Sequence, residues 1–341
     1  SETGTASTPT LAVTATPEST PTVSARVASL PIQPVTSAPL PAAGRDLLFI
    51  ADGALKKWNH RNGQLEIMVN GPDPASRIPA AEQQLDSFVG DVTDFVVSPD
   101  GKRALVGRRT GTIAKIQTVL NQNDTEEEIE ITFPIHEIIY LDTVSGAQWI
   151  IASQIANLQS MGISPNTEHV TFVASTTSGD LTLDDNNVAP TQMFYLVAGG
   201  GSNPSGLRSV GACVEFCSEP VWHIESNLVV WADREALKLF NIAGSEAEIL
   251  QPNRLEPPIE TAVYIPQSWA NNGRFLLITI GQFEGIRRAV FDVPTRTIID
   301  IPETLSYIEP FSVELMWMPD DRLFVLRTGD SLTPTAELWR V

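Results

Sequence analysis

Two cysteines, Cys213 and Cys217, stand four positions apart in the stretch Cys-Val-Glu-Phe-Cys. In a fully extended chain they are too distant to bond, but a turn through Val214–Phe216 brings the sulfurs together. In an exported protein this spacing favours a Cys213–Cys217 disulfide. A thiolate metal site lacks nearby histidine partners: His223 is the one candidate, and it reads as a strand residue. The four histidines, His60, His136, His169 and His223, fall in separate segments. None has the i, i+4 spacing of a helical zinc site, and neither HExxH nor GxSxG occurs. The loop Asp180–Asn187 (DLTLDDNN) concentrates Asp180, Asp184 and Asp185 beside two asparagines. Clustered oxygens suit Ca²⁺, although the spacing is not that of an EF-hand, and a solvated acidic loop is the competing reading. Structural calcium is therefore the single cofactor candidate. Asn123-Asp124-Thr125 is a sequon, which makes Asn123 the candidate for an attached glycan, whereas the proline in Asn203-Pro204-Ser205 disqualifies that triplet.

Seven tryptophans raise the question of a carbohydrate-stacking face. Trp149, Trp231, Trp317 and Trp339 fall inside strand hairpins, where packing is the ordinary explanation, and Trp58, Trp222 and Trp269 lie nearer turns. Glycoside hydrolysis would need a carboxylate pair across a cleft. With no matched acid, base and nucleophile set in view, the sequence predicts a chain that is not an enzyme.

The elements that would carry these residues are read from composition and punctuation. The 341 residues are 42% hydrophobic, with mean hydropathy near zero, as expected of a globular chain without a membrane-spanning run. A net charge of −19, from 22 basic and 41 acidic residues, repels nucleic acid and anionic membrane surfaces. Neither is an expected partner. The chain starts at Ser1 without Met or an apolar h-region, so the expectation is an extracellular or cell-surface protein whose signal has been removed.

Residues 1–44 contain no aromatic residue and are mostly Thr, Pro, Ala and Ser. Such a segment buries too little apolar surface to offset its ordering entropy and reads as an extended arm or stalk, roughly 140 Å long at about 3.1 Å per residue. A plain linker and an O-glycosylated stalk are both compatible with it. Within it Thr22, Val23, Val27, Leu30, Ile32 and Val35 supply enough apolar and β-branched character to add as a strand to a sheet edge.

From residue 45 to 341 the punctuation is that of an all-β repeat. Val92–Arg109 (VTDFVVSPDGKRALVGRR) is two alternating runs joined by Ser98-Pro99-Asp100-Gly101, a hairpin by its turn chemistry. The segments SPNTEHVTFV, SWANNGRFLLI and WMPDDRLFVL share its register. WNHRNGQLEIMV, LDTVSGAQWIIA, FNIAGSEAEIL and FDVPTRTIIDI form a second set. A long excursion, Thr110–Pro134, interrupts the second unit. Repeats of about 40–60 residues with up to four short strands each predict a β-propeller of about six blades, within a range of five to seven. Ser98–Lys102 also resembles the Ser-Pro-Asp-Gly-Lys turn of the WD40-like Pro-Asp repeat (TolB-like) propeller family, a resemblance that bears on fold.

The first unit shows three strands before Asn70 and the last ends after its third. Ring closure in propellers commonly completes a blade with strands from both termini. The arm then either folds back onto its own ring or completes a neighbour's, and the latter gives an open head-to-tail homopolymer or fibre. A structural, self-assembling role is the leading expectation; a tethered binding module for a glycan or protein is the alternative.

Overall fold

The computed structural model describes residues 29–31, 46–72, 89–120, 126–176, 190–198, 205–244, 246–250, 262–282, 285–301, 313–327 and 335–340. Among these there is no helix, and the strands form six antiparallel sheets, the blades of a propeller.

The arm contributes β1 (Ser29–Pro31). Blade 1 holds β2 (Leu47–Ala51), β3 (Ala54–Trp58) and β4 (Leu65–Val69). Blade 2 holds β5 (Val92–Val97), β6 (Arg103–Leu120), β7 (Glu126–Asp142) and β8 (Gln148–Ala156). Blade 3 holds β9 (Ser160–Ile163), β10 (His169–Ala174), β11 (Gln192–Val197) and β12 (Ser205–Ala212). Blade 4 holds β13 (Val221–Trp222), β14 (Leu228–Ala232), β15 (Leu237–Asn241) and β16 (Ala247–Leu250). Blade 5 holds β17 (Val263–Trp269), β18 (Phe275–Gln282), β19 (Gly285–Asp292) and β20 (Thr297–Asp300). Blade 6 holds β21 (Val313–Trp317), β22 (Arg322–Arg327) and β23 (Thr335–Arg340), and β1 pairs with β23 as its fourth strand.

Strand alternation explains the core. Successive side chains point to opposite faces of a sheet, so a strand buried on both faces feeds two separate interfaces. In β10, Val170, Phe172 and Ala174 join the cluster between blades 2 and 3, while Val173 joins the cluster between blades 3 and 4. The same division runs through β14, where Val229 and Trp231 face blade 3 and Val230 and Ala232 face blade 5. Further clusters join blade 1 to blade 2 around Leu55, Val69, Val106 and Leu141, and blade 5 to blade 6 around Leu277, Val290, Leu323 and Val325. Each fully buried Leu, Val or Phe contributes about 1.5–3 kcal/mol, which makes these interfaces the main source of stability.

This alternation and the turns together fix the register. Ser98 Oγ donates to Asp100 Oδ1 at 2.7 Å and accepts from the Arg103 N–H at 3.0 Å, while Asp100 Oδ1 accepts from the Lys102 N–H at 3.0 Å. Ser164 and Asn166 repeat the arrangement at 2.6, 3.0 and 3.1 Å in blade 3. A residue with positive φ occupies the fourth turn position in blades 2 to 6: Gly101, Thr167, Ser226, Gly273 and Asp321. The excursion read at Thr110–Pro134 is instead regular over much of its length. β6 and β7 stay in register out to Leu120↔Glu126, because their Thr, Ile and Val content suits a pleated ribbon.

Blade 1 corresponds to the second, third and fourth strands of its neighbours. Its β3–β4 turn repeats the β7–β8 turn, with the Gly63 N–H donating to the Asn59 carbonyl and the Gly146 N–H to the Asp142 carbonyl, each at 2.8 Å. The arm strand pairs Ser29↔Glu337, Leu30↔Ala336 and Pro31↔Thr335 within the same chain. Of the residues singled out in the arm, Leu30 lies in this strand; Thr22, Val23, Val27, Ile32 and Val35 lie outside the described residues, as do Asn123, Asp180, Asp184 and Asp185.

Candidate functional site

The inner strands β5, β9, β13 and β17 wall a central cavity of about 530 Å³. Its lining is mainly apolar, with Val96, Val97, Met161, Ile163, Val221, Trp222 and Ile265 from the strands and Phe216, Ser218, Glu219 and Pro220 from the connection into blade 4. Gly162 makes this wall possible, since a Cβ there would sit 2.9 Å from Pro220 and 3.0 Å from Thr171 Oγ1.

The connection into blade 4 is held by the predicted disulfide. Cys213 and Cys217 are bonded, with Cα atoms 5.5 Å apart, and both pack in the cluster between blades 3 and 4. Beneath the loop lies Asp233, fully buried. Burial opposes its ionisation, yet Lys238 and the N–H groups of Val214, Glu235 and Ala236, at 3.1, 3.0 and 3.0 Å, outweigh that cost and hold its pKa low. The anion is thus a fixed hub that ties the disulfide loop to blade 4.

A second cleft, of about 720 Å³, opens beside the Ser98–Lys102 turn between blades 1 and 2. Lys57 reaches into it from β3 and bonds the Thr143 carbonyl at 3.2 Å and Glu66 at 3.2 Å. His60 Nδ1 lies 2.8 Å from Asp46 Oδ1, and this hydrogen bond holds the Asp46 carboxyl below its usual range. Asp100 is lowered likewise by the Ser98 hydroxyl. Lys57 and His60 therefore already have carboxylate partners, so the cleft offers mixed charge to a ligand.

The four histidines occupy separate places. His60 lies in this cleft, and His136 is buried in blade 2. His169 Nδ1 meets the Tyr195 hydroxyl at 3.0 Å, and His223 Nε2 faces the Gly273 carbonyl at 3.0 Å. Of the tryptophans read as ligand candidates, Trp222 and Trp269 are buried and bonded, Trp222 Nε1 donating to Thr171 Oγ1 at 3.1 Å and Trp269 Nε1 to the Val221 carbonyl at 3.4 Å. Trp58 lies on an exposed face of blade 1. Sequence reasoning missed Asp233 and the Lys57–Asp46–His60 group, whose partners are brought together only by the fold.

No protein-family model matches the chain, and no curated protein matches it. Among solved structures it is similar to TolB from Acinetobacter baumannii (10% identity, TM-score 0.42, covering 84% of this chain and 59% of that one). It is also similar to a puromycin-hydrolyzing peptidase of Mycobacterium tuberculosis (15% identity, TM-score 0.50, covering 90% and 44%). A third is the β-propeller domain of the Trilobed protease from Pyrococcus furiosus, described as having an open velcro topology (11% identity, TM-score 0.46, covering 85% and 76%). The chain spans 59% and 44% of the lengths of the first two. The second of these likenesses corrects the expectation that the chain is not an enzyme: the fold recurs within a peptidase, so the lack of a recognisable catalytic set in the sequence does not decide the matter. At such identities what is established is the fold, and the TolB-like resemblance of the Ser98–Lys102 turn holds at that level.

Proposed function

We propose that the protein is an extracellular propeller that assembles with copies of itself by exchanging its N-terminal arm. The observation that carries this reading is the origin of the outer strand of blade 6. β1 comes from the arm and joins β23 through three residue pairs. The β23 edge of a second copy offers the same donors and acceptors, so exchange requires no new contact. An arm rich in Thr, Pro, Ala and Ser has no core of its own to lose on leaving one ring for another. Support for an extracellular setting comes from the Cys213–Cys217 disulfide, since such bonds persist in oxidising compartments. Electron microscopy and sedimentation of the full chain beside a variant lacking residues 1–44 test the reading. Chains or rings that vanish with the arm, while the propeller still melts cooperatively, are the expected result; equal assembly in both samples would overturn it.

The central cavity favours a second reading, a tethered binding module. A glycan or protein fragment that occupies it raises the melting temperature by mass action, and Gln267→Trp, at an exposed position of the lining, abolishes that rise.

A further inference from the structure

Blade 1 carries an apolar face that no other sheet covers among the described residues. Cross-strand pairing places Leu47, Trp58 and Leu65 in one row, and Phe49, Lys56 and Ile67 in the next, on the side opposite the blade 2 interface. Of these, Leu47 is 59% exposed, Trp58 38%, Leu65 54% and Ile67 60%. An exposed patch of neighbouring large apolar side chains marks an interaction site.

The chain itself shows what such a face takes. Each of the interfaces between blades 1 and 2, 2 and 3, 3 and 4, 4 and 5, and 5 and 6 mates one apolar sheet face with another. The complementary free face is on blade 6. Leu323 and Val325 of β22 are committed to blade 5, and the opposite side carries the cross-strand row Met316, Phe324 and Leu338. Met316 is 58% exposed. In this chain the ring-closing strand β1 is already seated on blade 6, yet the blade 1 face and Met316 are still exposed, with Phe324 and Leu338 half-buried. Closing the strand within one chain is therefore not enough to bury them.

We infer that the blade 1 face docks against the blade 6 face of a second copy. The contact joins two different patches, so it is heterologous and propagates head to tail. This inference rests on the self-assembly reading and adds to it a surface made of described residues outside the arm.

Ile67→Asn and Met316→Asn test it in the full chain. Both positions are exposed and both substitutions are neutral, so the fold and the net charge of −19 are kept. Sedimentation should show at least a tenfold weaker association for each variant, with unchanged melting. An Ile67→Cys/Met316→Cys double variant should form intermolecular ladders on oxidation. A crosslink confined to single chains would overturn the inference, because the chain's own blade 6 would then be the occupant. Wild-type assembly by both Asn variants would also overturn it, and if the arm deletion still abolished assembly, the arm-exchange reading would stand alone. Association lost in the Asn variants but retained without residues 1–44 would do the reverse, supporting the docking face against the arm. A wild-type chain that stays monomeric at high concentration would overturn both.

Discussion

His136 is the residue whose position has the clearest consequence for stability. It is 3% exposed, in register with Arg109 across β6 and β7, and its Nδ1 has no hydrogen-bond partner. Burial, with a smaller contribution from Arg109, lowers its pKa to about 4 from 6.5. The folded state thus keeps the imidazole neutral where the unfolded state protonates it. The His136 contribution to stability is full above pH 6.5, declines as pH falls through the interval down to about 4, and is level below that. The drop is on the order of 3 kcal/mol, at about 1.4 kcal/mol per pH unit. Denaturant titrations of wild type and His136→Gln across this interval check it: the variant should lose most of the slope, and parallel curves would refute the assignment. None of this was legible in the sequence, where His136 is one of four scattered histidines. Burial is a property of the blade 2 packing and has no local signature. The disulfide was legible as the favoured reading, because a turn brings cysteines four positions apart within bonding reach.

At the scale of elements, the turns were partly legible for a physical reason. Ser98-Pro99-Asp100-Gly101 carries its own bonding pattern in its side chains, so type and spacing reveal it. In blade 4 the same turn is built differently, with His223 at the position of Ser98 and its Nδ1 accepting from the Glu225 N–H at 3.2 Å. Only the backbone repeats there: the Ser226 N–H donates to the His223 carbonyl at 2.9 Å. A motif search sees side chains, and so it passes over this copy. Gly273 shows the opposite dependence, since its φ of +68° and the His223 ring, 2.3 Å from where a Cβ would stand, leave room for glycine alone. The Cys213–Cys217 loop is likewise an element with a measurable worth. A crosslink spanning five residues lowers the entropy of the unfolded chain by about 2 kcal/mol at room temperature. Replacing both cysteines by serine should cost about that amount in chemical denaturation. A loss several times larger would mean that the loop also holds Asp233 in place through the Val214 N–H.

For the whole molecule, a count of about six blades, within five to seven, followed from counting strands, but the manner of closure did not. The arm's contribution is three residues long, Ser29–Pro31, and no periodicity is visible in so short a stretch. The open faces of blades 1 and 6 escaped notice because alternating apolar residues look alike whether or not a sheet covers them. On the inferred docking, charge sets the conditions under which these faces meet. Two copies at −19 each repel over a Debye length of about 30 Å at 0.01 M salt, but only about 8 Å at 0.15 M. Apolar docking is not weakened by screening, and the ion pairs within one chain, such as Arg103–Asp142 and Arg274–Asp292, do not bridge copies. Association should therefore strengthen as sodium chloride is raised over this range, and sulfate should strengthen it further by favouring apolar burial. Light scattering across the two salts reads this directly. Assembly that dissolves as salt rises would mean that opposite charges, rather than the Leu47–Ile67 face, join the copies.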